Sequence, residues 1–427
     1  MNQLIQKYGI KCPAGAYFNH DDEQIEAAFH AAIDFLSEYG MYCLTTNRVV
    51  QLTREEVLQA VREAPAELVV GTGRDVRTIR RRNIEEQEGL NHVPAHHAPF
   101  SEEMGPMCVK NFAQLSSADI IEGFNFRVID GREVHGMPME AYAARRQVAM
   151  VREGIRKAGR PGMAIALYPI STRASVLVAP MDPDYGLRRT DGVLLSMLPD
   201  VKMEQDMLTA AIVYTDYGAF LRGTASGMAG GFCGDTEGAV IEAISRLIGG
   251  WIVYRNRYGP AGTSRVFTHT AETWEPDIKA SWGTSLVSQV FSRFCPLPVF
   301  NGAYTQSGPG TLGMLLELAF NFAHGPINGA NVMHVRHSRA QVNHAQTPLE
   351  AEWTWQVCNA VMRSVRTRVQ GEEFYRRLTG LLLGRAPEPA HDVREIYDWA
   401  YHRPSEDYQR VYNQAKQMLT GIGLEFD

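Results

Sequence analysis

The chain has 427 residues, 45% of them hydrophobic, and 42 Lys and Arg against 48 Asp and Glu give a formal net charge of −6. That length supports a large core, as one barrel or two domains, and a mild acidic excess with no long basic stripe argues against a nucleic-acid partner. Six scattered cysteines without a C-x-x-C pair suit a reduced, cytoplasmic protein, and a polar start (MNQLIQKYGIKCP) with no apolar run near roughly 18 residues predicts neither signal peptide nor membrane contact.

Residues 1–110 read as an N-terminal extension packed on a barrel. Asp21 or Asp22 caps an amphipathic helix with Ile25, Phe29, Ile33 and Leu36 on one face, and Gly40 stops it. Thr53-x-x-Glu56 is a capping box for a second helix. The apolar run 68–70 precedes Gly71-Thr72-Gly73, which has neither the third glycine nor the lysine of a phosphate loop and so reads as a tight turn. Arg77, Arg80, Arg81 and Arg82 form the densest basic patch, read as a solvated helix face. The segment 86–106, with His92, His96 and His97 among Pro and Gly, reads as a long loop.

From about residue 139 apolar runs and helical patterns alternate. A helix over 139–158 leads to a strand over 163–167, and further strands are expected at 193–198, 220–224, 265–268, 299–303 and 331–335. Helices are expected between them, at 204–217, 236–254, 311–324 and 350–367. With two more candidate strands at 108–112 and 126–129, the count reaches the eight units of an α/β (β/α)8 TIM-type barrel, placed over 111–370; residues 371–427 read as added C-terminal helices.

In such a barrel the site is built at the strands' C-terminal ends. That rule nominates Tyr168, Asp200, Ser226, His269 with Glu272 and Trp274, Tyr304 with Gln306, and His334, Arg336 and His337. Asp235 and Glu237 follow the glycines of GMAGGFCGDTEG. Asp235 suits a helix cap as well as a site carboxylate, and Glu237 a response to the helix dipole. Tyr168 and Tyr304 suit aromatic core caps, and Trp274 a helix-start staple. His269, His334 and His337 could together hold a metal, but on a regular strand His334 and Arg336 share a face that His337 does not.

GRPGM (159–163) before its strand, EYGMYCLTTNRVVQLT (38–53), VVGTGRDV (69–76) and PSEDYQRVYNQAKQMLTGIGLEF (404–426) resemble the corresponding segments of the monomethylamine methyltransferases, corrinoid-dependent enzymes of methylotrophic methanogens. The resemblance runs the length of the chain and implies a TIM-type barrel. It also implies methyl transfer to a cognate corrinoid protein with no tightly bound cofactor, and a homo-oligomer. Aligned on GRPGM, Ala166 stands where the family carries pyrrolysine. Phe220 and Gly302 stand at the positions of its glutamate and glutamine, and Tyr304 keeps its tyrosine. The implied adduct chemistry is therefore expected to be absent.

What remains is transfer from a small methylated amine, quaternary or otherwise cationic, whose nitrogen leaves as a neutral amine. Tyr168, Trp274, Trp282 and Tyr304 are the candidates for an aromatic cage. Asp235 or Glu237 would balance the charge, and Arg336 would clamp a carboxylate. The expected catalytic set is Tyr304, Asp235, Glu237 and His334, with substrate bound by Ala166, Tyr168, Phe220, His269, Trp274, Gly302, Gln306, Arg336 and His337 and no metal. The alternatives are a metal-dependent barrel hydrolase or lyase using His269, His334 and His337, and a non-catalytic ligand-binding homologue.

Overall fold

The computed structural model describes residues 1–94, 99–255, 264–268 and 277–427. It opens with α1 (Asn2–Tyr8) and α2 (Asp22–Tyr39); Asp21 caps α2, whose stripe Ile25, Phe29, Ile33 and Leu36 is buried. The hairpin β1 (Met41–Cys43) and β2 (Arg48–Val50) leads to α3 (Arg54–Arg62), which starts with the Thr53–Glu56 capping box. A second antiparallel hairpin joins β3 (Glu67–Val70) to β4 (Arg77–Arg80) through the turn at Gly71–Gly73. The arginine patch lies in and just after this hairpin and is not a helix face. Arg82 is fully buried, donating to the carbonyls of Glu86 and Glu88 at 2.6 and 2.5 Å.

The barrel is read from its pairings. Residues 90–93, expected in a long loop, supply its first rung: His92 bridges Val332 in parallel, and the Asp119 amide donates to the His92 carbonyl. Then follow α4 (Gly105–Ala113), β5 (Ile120–Ile121), the small hairpin β6 (Val128–Ile129) and β7 (Arg132–Glu133), α5 (Met139–Lys157), β8 (Ala164–Leu167), α6 (Ala174–Val178) and β9 (Gly192–Leu194). After the short β10 (Lys202–Met203), which pairs with β1, come α7 (Gln205–Tyr217), β11 (Phe220–Arg222) and β12 (Ala225–Ala229). The last two are halves of one bent strand, β11 pairing with β9 and β12 with β13 (Ser264–Thr268). Helix α8 (Thr236–Val253) precedes β13; α9 (Ile278–Arg293), β14 (Phe300–Thr305), α10 (Leu312–Ile327), β15 (Asn331–His337) and α11 (Pro348–Ser364) complete the alternation.

Every described pairing between barrel strands is parallel, and β5, β8, β9 and β11 form one continuous sheet. Parallel strands joined by helices bury both faces. One face of the strands makes an interior cluster of Val93, Ile120, Ala164, Ala166, Phe220, Phe300 and Met333. Leu68, Val70 and Ile79 of the β3–β4 hairpin join it beside the first residues of several strands, and so plug the N-terminal end. Alternate residues such as Ile121, Ile165, Leu167, Leu221 and Val335 join the larger core between sheet and helices.

Two expected strands are corrected. Residues 108–112 lie in α4, where Pro106 occupies the first turn and Cys108, Val109 and Phe112 form one buried face; residues 126–129 end in the β6–β7 hairpin, outside the barrel. The first barrel rung therefore precedes the boundary expected at residue 110, and α4 spans it. At the other end α12 (Arg368–Leu382), the single turn α13 (Val393–Ile396), the hairpin β16 (Tyr397–Asp398) and β17 (Arg403–Pro404), and α14 (Glu406–Gly421) close over the barrel helices. There Tyr408 donates to the buried Glu350 at 2.5 Å. No helix among the described residues is long and apolar enough to cross a membrane.

Candidate active site

Side-chain alternation decides which residues enter the barrel. On β8, Ala164 and Ala166 point inward while Ile165 and Leu167 point to the helices, so Tyr168 follows on the inward side, half-buried above Ala166. Tyr304 and Arg336 are cross-strand partners on β14 and β15, and the guanidinium lies 5.2 Å from the centre of the Tyr304 ring. The three residues are near enough to interact: burial pushes the Tyr168 hydroxyl up, Tyr304 adds to the rise and Arg336 opposes it.

Arg336 reaches this position through a β-bulge. Asn301 pairs with Val332 but Ala303 pairs with Val335, so β15 carries one extra residue opposite Gly302. Met333 faces the interior and, on a regular strand, Arg336 would face the helices. The extra residue restores it to the inward side beside Tyr304. Gly302 thus marks the bulge. The main chain of His334 lies within it; its side chain is outside what is described.

His337 follows on the opposite face. It pairs with Thr305, its amide donates to the Ala345 carbonyl, and burial lowers its imidazole against the opposing effect of the Thr305 and Ser307 carbonyls. This placement separates it from the Tyr304–Arg336 side, so the strand does not present His337 with that cluster as a ligand or substrate contact. His269, Glu272 and Trp274 lie outside the described residues.

The loop after β14 is held by Glu317 of α10. Its carboxylate accepts from the Gln306 amide at 2.6 Å, the Ser307 amide at 3.0 Å and the Ser307 hydroxyl at 2.5 Å. Burial raises the Glu317 carboxyl and these donors pull it back. The arrangement fixes the chain where it leaves Tyr304, with Gln306 half-buried at the rim.

Asp235 and Glu237 have structural partners. Asp235 caps α8 through the Thr236 amide at 2.8 Å and pairs with Lys279 at 2.7 Å; that hydrogen bond, more than any other contact, holds its carboxyl below the usual range. Glu237 accepts from the Cys12 amide at 2.8 Å and so ties down the N-terminal segment. Trp282 is no cage wall: it is fully buried in the helix-side core of α9. Asp200 pairs with Lys202 at 2.9 Å, and Ser226 is half-buried on β12.

Phe220 takes up the interior space beside Ala166. Ala166 and Phe220 are both cross-strand partners of Gly192, and a Cβ on Gly192 would collide with the Phe220 ring. One further inward pair was missed by the sequence reading: Glu122, just past β5, forms an ion pair with Arg222 of β11, both side chains no more than 1% exposed. The signal was a charged residue at inward parity inside the apolar run 220–224.

A TIM-type barrel with a tyrosine–arginine cluster at the C-terminal ends of its strands is the architecture of an enzyme whose pocket opens on that face. Comparison with known proteins defines it further. The family description "Monomethylamine methyltransferase MtmB" matches residues 1–424, and the chain belongs to that family of methyltransferases. Among its relatives are monomethylamine methyltransferase MtmB2 of Methanosarcina acetivorans, 25% identical over 429 residues, and MtmB3 of Methanosarcina barkeri, 26% identical over 429 residues. Each alignment covers 99% of this chain and 92% of the relative. The crystal structure of the Methanosarcina barkeri enzyme superposes with a TM-score of 0.89 at 22% identity, and that of the hydroxylamine MtmB complex with 0.90 at 23%, each covering 100% of this chain and 92% of the other. These two structures establish the shared fold.

Proposed function

We propose that this protein transfers a methyl group from a small methylated cationic amine, a quaternary ammonium foremost, to Co(I) of a corrinoid carried by a separate cognate protein, and that it does so without pyrrolysine. The observation that carries the reading is position 166. The residue there is alanine, it is 1% exposed, and the interior beside it is closed by Phe220 packed on Gly192. A long reactive side chain has no counterpart at that place, while the rim above keeps Tyr168, Tyr304 and Arg336.

A quaternary nitrogen carries its positive charge at every pH and leaves as a neutral amine, so no adduct is needed to activate it. The tyrosine faces stabilise such a cation without hydrogen bonds. Arg336, stacked on Tyr304, fixes that ring's plane and is placed to hold a carboxylate where the donor has one. The acceptor supplies the electron pair of the new cobalt–carbon bond, and the pair of the broken carbon–nitrogen bond stays with the amine. The barrel's part is to hold the methyl group in line with the acceptor at the strands' C-terminal face, an effect of orientation. The resemblance implies a homo-oligomer, and the scattered cysteines suit action in the cytoplasm.

The test is a donor screen. Protein, reduced corrinoid partner and candidate donors are mixed and the Co(I) spectrum followed. Conversion with quaternary amines and not with monomethylamine is the expected result; conversion with monomethylamine alone would overturn the reading.

A further inference from the structure

Barrel interiors are normally filled by layers of branched apolar side chains. Here, above the Ala164 and Ile120 layer, Glu122 and Arg222 face each other from β5 and β11. The β5–β8 ladder pairs Ile120 with Ala164 and Ile121 with Ile165, so the next step sets Glu122 beside Ala166. The Arg222 guanidinium also lies 3.6 Å from the Met333 sulfur, its Nη1 pointing at that atom. A charged pair removed from water is stabilised little or not at all relative to apolar residues of the same volume, so core packing does not account for it. Its place does: continuing the ladders sets Glu122 one inward residue below the half-buried Tyr168, as a floor, and Arg222 level with Tyr168 across Leu194, as a side wall.

We infer that Glu122 is the carboxylate that reads the positive charge of the ligand, and that Arg222 is its positioning residue, holding it ionised and aimed along the barrel axis beside Ala166. The ligand class is a small alkylated ammonium, seated between the tyrosine rim and this floor. At that depth there is little water to screen the charge, so a carboxylate below the ligand discriminates an ammonium from a neutral isostere of the same shape. The inference rests on the reading of this pocket as one for methylated amines and adds the group that recognises them.

The test separates a recognition role from a merely structural one. Replacing both partners, Glu122→Leu with Arg222→Met, removes the charges and leaves no unpaired ion behind, so the variant is expected to fold with little loss of stability. A second variant, Glu122→Arg with Arg222→Glu, keeps the pair but moves the carboxylate to the other strand. Binding is measured by calorimetry with tetramethylammonium and with the isosteres choline and 3,3-dimethyl-1-butanol. The wild-type protein is expected to prefer choline over the neutral alcohol, and both variants to lose at least about tenfold of that preference, equal to one order in Kd.

A variant that folds and keeps the preference, or a wild-type protein that shows none, overturns the inference. If the apolar variant does not fold, the swapped variant decides; failure of both to fold, with single Glu122→Asp also keeping full preference, would make the pair structural and overturn it as well. A wild-type protein that reads the charge but transfers no methyl group removes the transfer reading and leaves this one. Transfer that persists with unchanged KM in the apolar variant does the reverse.

Discussion

Phe220→Ala tests the claim that the space beside Ala166 is filled. Phe220 is 2% exposed, and its ring rests on the bare backbone of Gly192 with the Ala166 methyl one strand further on. Removing the ring deletes its buried apolar surface and leaves a cavity. Neither Gly192 nor Ala166 has a side chain long enough to collapse into it. Phe→Ala in a core costs about 3–5 kcal/mol, and poor collapse puts this site in the upper part of that range. Urea unfolding gives the value from the midpoint shift at constant slope. Gly192→Ala is destabilising for the reciprocal reason, since its new Cβ meets the ring. Combined with Phe220→Ala it is expected to cost less than the sum of the two, because the ring it would strike is gone. A Phe220→Ala cost under about 1 kcal/mol, or strict additivity in the double variant, would refute the packing argument.

Tyr304→Leu removes the aromatic face that lies under Arg336 and that the cation would use, so turnover in the transfer assay should fall far more than the unfolding midpoint moves; an unchanged rate would remove that ring from the site. Glu317→Ala strands the Gln306 and Ser307 amides and the Ser307 hydroxyl, and at about 1–3 kcal/mol for each buried group left unpaired it should lower both stability and turnover; full activity in a stable variant would show that the loop needs no anchor. His92 is buried against Trp355, ring centres 5.4 Å apart, and burial lowers its imidazole from the ordinary 6.5 to about 3. The unfolded chain then binds the proton that the folded one refuses. Stability is complete above about 6.5 and falls as pH drops toward 3. Urea midpoints at pH 7 and pH 4.5 should differ less in His92→Gln than in the wild type; an unchanged difference would assign the acid limb elsewhere.

Much of the barrel was legible because its later strands are apolar runs bounded by helices with clear caps. Ala164–Leu167, Phe220–Arg222 and Asn331–His337 all begin within a residue of where hydropathy sets them. The first rung was not. His92 and Asn91 are polar, the paired stretch is a single bridge, and its partner Val332 lies some 240 residues on, so no local pattern announces it. Residues 108–112 were misread because a short buried helix face and a buried strand have similar hydropathy, and Pro106 at the helix start was the discriminating signal.

The site was legible in part for a related reason. Tyr168, Tyr304 and Arg336 follow from the rule that strand ends carry function, but the parity of Arg336 depends on a bulge, and bulges leave no periodic trace in sequence. For Asp235 the sequence left a helix cap and a site carboxylate open because both use the same residue type; its partners, Thr236 and Lys279, are those of a cap. Glu122 escaped notice since β5 is two residues long and shows no alternation from which an inward face could be read.

The account turns on methyl transfer by a barrel with alanine at position 166. The most direct measurement is a single turnover with protein shown by peptide mass spectrometry to carry unmodified alanine at position 166, mixed with the reduced cognate corrinoid protein and a quaternary amine. The expected result is loss of the Co(I) spectrum and appearance of methyl-Co(III), with one equivalent of demethylated amine released. No conversion with any donor by mass-verified protein, or conversion confined to preparations carrying an added reactive group, would contradict it.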